Sequence, residues 1–183
     1  GQSQNDADDN VWVGYQAGLS NTTGDSNTGV GKDTLRANTT GENNVALGAD
    51  ALTLNTTADN NTAVGYKSLF TNTTGGGNVA VGRYALHSST TATANTAVGY
   101  NALYANTTGT QNTSVGAYAL QAITTGTTST AVGYQALTAS TASNNAAFGS
   151  TALATNTTGA QNSAFGHAAL VTNSTGNDNS AFG

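Results

Sequence analysis

The 183-residue chain has no cysteine, no proline and no methionine, and only 7% of its residues are charged. Without cysteine, neither a disulfide framework nor a thiolate metal site can form. The lack of proline suits a fold in which nearly every backbone N–H enters a ladder, because proline has none to donate. The lack of methionine reads as a processed chain or an internal fragment. No apolar run approaches the roughly 20 residues of a membrane-spanning helix, and no segment reads as a signal peptide.

Charge is scarce and uneven. Eight of the nine acids, Asp6, Asp8, Asp9, Asp25, Asp33, Glu42, Asp50 and Asp59, precede residue 60, and the ninth is Asp178. The basic residues are Lys32, Arg36, Lys67 and Arg83, and none of either sign lies between Tyr84 and Asn177. A net charge of −5 with no basic patch lacks the electrostatic footprint of a nucleic-acid or anionic-membrane partner. So large an uncharged surface tends to associate. The sequence therefore calls for attached glycans or for assembly.

What the chain has in abundance is period. Gly14, Gly31, Gly48, Gly65, Gly82, Gly99, Gly116, Gly133, Gly149, Gly166 and Gly183 recur 17 residues apart, with one 16-residue step before Gly149. A fixed short period over almost the whole chain is the signature of a solenoid. Large apolar residues stand just before the glycine, from Val13 to Phe182, and leucines four places after it, from Leu35 to Leu170. Gly18 breaks the leucine row, and alanine usually stands one place before it. These two large rows and one small row are expected to form a thin core.

Four places before the glycine runs a row of Asn, from Asn10 to Asn179, broken only by Ser129. Stacked amides of this kind bond one above another and fix a turn. Segments such as Asn95-Thr96-Ala97-Val98-Gly99 predict a short strand ending at a glycine corner with positive φ. The following Tyr-x-Ala-Leu reads either as a second strand or as one helical turn. Asn-Thr-Thr-Gly reads as a turn. Seventeen residues are too few for a strand plus a crossover helix. The fold class is thus all-β: a flattened β-roll of about eleven coils, forming a rod of about 50 Å. Residues 1–9 read as an acidic, degenerate first coil or interface segment, and residues 10–183 as one repeat domain.

The phrases Asn61-Thr62-Ala63-Val64-Gly65 and Asn95-Thr96-Ala97-Val98-Gly99 resemble the head repeats of YadA-type trimeric autotransporter adhesins. The longer phrase from Tyr100 to Gly109 is similar to repeats of phage-type tail-fibre and secreted fibre proteins. The resemblance spans residues 10–183. It implies a left-handed β-roll, trimerisation and a place outside the cell or on a virion surface.

Candidate chemistry lies in rows. Asn-x-Ser/Thr, the N-glycosylation acceptor, occurs at Asn21, Asn38, Asn55, Asn60, Asn72, Asn106, Asn112, Asn156 and Asn173. Seven of the nine share one coil position and predict a stripe of glycan sites along one edge. The alternative is plain turn chemistry, with threonines stacking between coils. A second row, Asp8, Asp25, Glu42 and Asp59, would set carboxylates about 5 Å apart. Such spacing suits calcium, or else charges splayed into water. Threonine rows from Thr22-Thr23 to Thr157-Thr158 raise ice binding, although adjacent residues in a strand point to opposite sides. Tyr66, Tyr100 and Tyr134 share one position and Tyr84 and Tyr118 the next, suiting sugar stacking or packing between coils.

His87 and His167 occupy different coil positions, so no base–nucleophile pair is visible and no enzyme is expected. The reading is a structural subunit or shaft of an extracellular fibre or adhesin, glycosylated along one edge, its partners further copies of itself or carbohydrate. The runners-up are a virus or phage tail fibre binding host glycans, and an ice-binding solenoid. Gly183 closes a repeat and Gly1 falls four positions after one, so joined ends would omit three positions of a coil. Head-to-tail stacking is expected if these residues are not a window of a longer repeat.

Overall fold

The computed structural model describes residues 7–183, so residues 1–6 of the expected N-terminal segment, Asp6 included, lie outside the described residues. Each coil contributes one three-residue strand that ends at the repeat glycine. In chain order these are β1 (Val11–Val13), β2 (Thr28–Val30), β3 (Val45–Leu47), β4 (Thr62–Val64), β5 (Val79–Val81), β6 (Thr96–Val98), β7 (Thr113–Val115), β8 (Thr130–Val132), β9 (Ala146–Phe148), β10 (Ser163–Phe165) and β11 (Ser180–Phe182). All pair in parallel in sequence order, residue for residue, as in Thr96↔Thr113. The chain is a β-solenoid, and no helix occurs among the described residues. The 16-residue step leaves the ladder in register, Thr130 pairing with Ala146, because the missing residue comes out of the turn at Ser140-Thr141-Ala142.

The core differs from the expected one. Side chains alternate along a strand, and here the central residue points inward: Ala46, Ala63, Ala80, Ala97, Ser114, Ala131, Ala147 and Ala164 are buried. Its neighbours therefore face out. The large row before the glycine, expected inside, is outside, with Val13 56%, Leu47 47% and Phe148 36% exposed. The leucine row and the alanine row before it are buried as expected, from Leu35 to Leu153 and from Ala51 to Ala169. One leucine and two small residues fill each coil, and asparagine fills the rest.

The Tyr-x-Ala-Leu segment is neither strand nor helix but a run of turns. Its buried leucines sit in the left-handed region, with φ between 48° and 52° from Leu35 to Leu170. This conformation is costly for a side chain with a β-carbon. What holds it is the next coil: the N–H groups of Leu35 through Leu153 donate to carbonyls one coil on at 3.0–3.2 Å. The repeat glycine turns the corner at φ near 130°. At Gly99 a β-carbon would meet the Gly116 backbone at 2.7 Å, so the corner requires glycine for space as well as for φ.

Two asparagine rows close each coil. Asn10 and Asn21 both donate Nδ2–H to the Gly24 carbonyl at 2.9 Å. The same pair of amides converges on Gly41, Ala58, Gly75, Gly109, Gly159 and Gly176. In the row before the strand, Oδ1 accepts the backbone N–H one coil on, as from Asn61 to Asn44 and from Ser129 to Asn112, both at 3.0 Å. The other row bonds side chain to side chain, Asn55 Nδ2 to Asn38 Oδ1 at 2.8 Å. Buried amides are tolerated here because their polar atoms are nearly all partnered.

The exceptions locate themselves. Asn72 Oδ1 and Asn106 Oδ1 are buried without a partner, since the next coils carry Ser89 and Ile123 where the ladder needs an amide. Ser89→Asn should restore a donor to Asn72 and raise the free energy of unfolding by about 1 kcal/mol. Gly99→Ala should lower it by more than that gain, because its β-carbon meets backbone. Denaturant midpoints of the two variants, shifted in opposite directions, check both statements.

Candidate functional surfaces

No pocket is present among the described residues. The acidic row lies on the outside of the turn before the strand. Asp25 accepts the Asp8 backbone N–H at 2.7 Å, and Asp59 accepts that of Glu42 at 2.8 Å. Where acids run out, Ser143 and Asn177 accept the same bond from Thr127 and Ala160. At these coils the position is thus a backbone cap between coils, filled by Asp, Ser or Asn oxygens. Among the described residues no three His, Asp or Glu side chains gather as a metal ion would need.

The stripe of glycan acceptors does not face solvent. Asn38, Asn55, Asn72, Asn106 and Asn156 are fully buried, Asn21 nearly so, and Asn173 in the last turn is half-buried. Their Nδ2 atoms, where a sugar would attach, are the donors of the inner ladder. Asn112 is buried in the other ladder. Asn60, two places before the strand in the outer turn, is the exposed acceptor of the nine. The motif arises because the turn needs a buried amide followed by threonines. The first threonine of each pair, from Thr22 to Thr107, donates its hydroxyl to the carbonyl one coil on at 2.9–3.1 Å. Those hydroxyls are committed to the backbone.

Aromatic residues form three exposed or half-exposed ladders. Phe148, Phe165 and Phe182 stack face to face on the outside of the sheet, with centroids 4.9 and 5.2 Å apart. Phe70, His87 and Tyr104 stack at 5.4 and 5.1 Å. The third ladder turns the corner after the glycine. Tyr84 meets Tyr66 edge to face at 5.5 Å, and Tyr118 meets Tyr100 at 5.2 Å and Tyr134 at 6.1 Å. The Arg83 guanidinium lies 4.7 Å from the Tyr84 ring and 5.8 Å from those of Tyr66 and Tyr100, bridging the series.

The remaining surface is the outer face of the sheet. Two residues per strand project from it, one of them always Val, Leu or Phe. The other is threonine in β2, β4, β6, β7 and β8 and valine in β1, β3 and β5. It is a continuous apolar stripe along all eleven strands. Alternation around the buried central residue makes it; the apolarity of the row before glycine had pointed to the core. In comparisons with protein-family models, curated proteins and solved structures, nothing matches this chain.

His87 carries the clearest electrostatic perturbation. Burial in its stack, and then the Lys67 charge, push its pKa below the usual 6.5. The folded chain therefore holds a neutral ring that the unfolded chain would protonate first, so stability falls as the pH drops through 6.5. His87→Phe keeps the ring stack and removes the proton site. Urea midpoints between pH 7 and pH 5 should fall more steeply in the wild type than in this variant.

Proposed function

We propose that the chain is a structural segment of an extracellular fibre, a shaft whose copies pack side by side along the outer face of the sheet. The observation that carries this reading is the apolar stripe of Val, Leu and Phe running along all eleven strands. A contiguous exposed apolar surface of this length on a soluble chain marks an association surface. The lack of charge from Tyr84 to Asn177 removes the repulsion that would oppose it. The extracellular setting rests on the resemblance of the repeat phrases to adhesin heads and fibre proteins. In this reading the rod's outer turns are its wet side, where Asn60 offers its amide to a glycan.

Sedimentation velocity tests the assembly. The wild type should sediment as an oligomer. Leu47→Asp and Val115→Asp, at positions 47% and 37% exposed in the single chain, should yield monomers with unchanged circular dichroism. A wild-type chain that stays monomeric up to its solubility limit ends the reading.

A further inference from the structure

We infer that the tyrosine series at the corner after the repeat glycine is a binding track for a neutral, extended, β-1,4-linked polysaccharide lying along the rod. Within it, Tyr66, Tyr100 and Tyr134 are the more exposed rings, at 40%, 37% and 51%, while Tyr84 and Tyr118 are half-buried between them. The three exposed rings share one coil position and stand two coils apart. Two coils of a parallel ladder span about 10 Å, which is the length of two equatorially linked pyranose units. An extended β-1,4 chain turns over at each successive sugar, so every second ring presents the same face at that interval. Each exposed tyrosine would thus meet an equivalent sugar, with no change of geometry along the track.

The details of the track suit such a ligand. Tyr100 is held against Tyr118 at 83°, and Tyr134 against the same ring at 87°, so both are braced by a shared neighbour. Rings fixed in place lose little side-chain freedom on binding, which favours stacking of the apolar face of a pyranose. Gln135, next in sequence to Tyr134, is half-buried and carries an amide suited to sugar hydroxyls, whereas the Asn101 Oδ1 beside Tyr100 is buried. Lys67 and Arg83 lie over the first rings of the series, whereas the stretch from Tyr100 to Tyr134 carries no charged side chain of its own, which suits an uncharged glycan. The track is separate from the residues proposed for self-association, so it does not depend on that reading.

The test uses the whole chain with cellohexaose and N-acetylchitohexaose as probes, and maltohexaose, whose α-links coil the chain, as the contrast. Affinity electrophoresis or calorimetry should show binding of at least one β-linked hexasaccharide and none of maltohexaose. Tyr100→Ala should weaken it at least tenfold with unchanged circular dichroism, and Tyr100→Phe should retain it. Excision of residues 117–133, one whole coil, brings Tyr100 and Tyr134 to adjacent coils. It should weaken binding at least tenfold while the solenoid still folds, and more than Tyr118→Ala does, since the excised coil carries Tyr118 and that variant keeps the two-coil spacing. Absence of binding to both β-linked probes, equal binding of maltohexaose, or full affinity in Tyr100→Ala or in the folded excision variant would each overturn the inference. Sedimentation of the same samples reports assembly separately, so either idea can fail without the other.

Discussion

The close approach of one coil to the next governs everything else in this molecule. At the repeat glycines the backbones stack so tightly that an added β-carbon would lie 2.2–2.9 Å from the next coil, from Gly14 through Gly166. The N–H of each of these glycines from Gly31 onward donates to the carbonyl of the residue before the preceding one, at 2.7–2.9 Å. With that contact fixed, residues 17 apart must stand directly above one another, and each row becomes a chemical ladder. Rows that can satisfy themselves by stacking persist: asparagine by amide bonds, threonine by hydroxyl-to-carbonyl bonds, leucine by packing. A row of charge cannot do so without repulsion, and the acids stay few: Asp8, Asp9, Asp25, Glu42, Asp59 and Asp178 in the outer turn, Asp33 and Asp50 at the corner after the glycine.

The same contact explains how a coil with so little apolar volume folds. One leucine and two small residues contribute about 3 kcal/mol of burial, far less than the conformational entropy of a coil. The difference comes from bonds between coils, which a single coil does not possess. Cooperative, neighbour-dependent stability is the consequence, as in other repeat proteins. It also allows nine leucines to occupy the left-handed region. Each one's strain is offset by bonds that its neighbours hold in place.

Much of this was legible in the sequence, and the failures have physical causes. Period, the strand before each glycine, the glycine corner and the leucine row follow from residue types at fixed spacing, whereas the Tyr-x-Ala-Leu segment, left open as strand or helical turn, is neither. The inversion of the strand could not be read so simply. In Thr96-Ala97-Val98 both alternations were open, and valine's apolarity favoured the wrong one; only a coil too narrow for valine and leucine together decides for Ala97. The glycan stripe failed for a related reason. Asparagine is usually exposed, and nothing short of the converging bonds on Gly24 or Gly41 shows that it forms the core here. Trp12 and the row-breaking Gly18 looked unrelated, yet a β-carbon at Gly18 or Gly29 would strike the Trp12 ring at 2.4 or 2.8 Å. The large ring fills the first coils of the core, and the two glycines make room for it.

The outer surface shows how a solenoid converts sequence alternation into spacing. Where every coil carries an aromatic ring at the same position, as at Phe148, Phe165 and Phe182, the coil rise lets the rings lie parallel, within 6° of one another. Where the ring moves one place along in alternate coils, as from Tyr100 to Tyr118 to Tyr134, successive rings are forced nearly perpendicular. The repeat of the surface then doubles while the backbone repeat stays at one coil. A backbone that permits only a spacing near 5 Å can therefore display chemistry at twice that distance by shifting one side chain by one residue. The 17-residue period sets the scaffold, and departures from identity between neighbouring coils set what the surface can match.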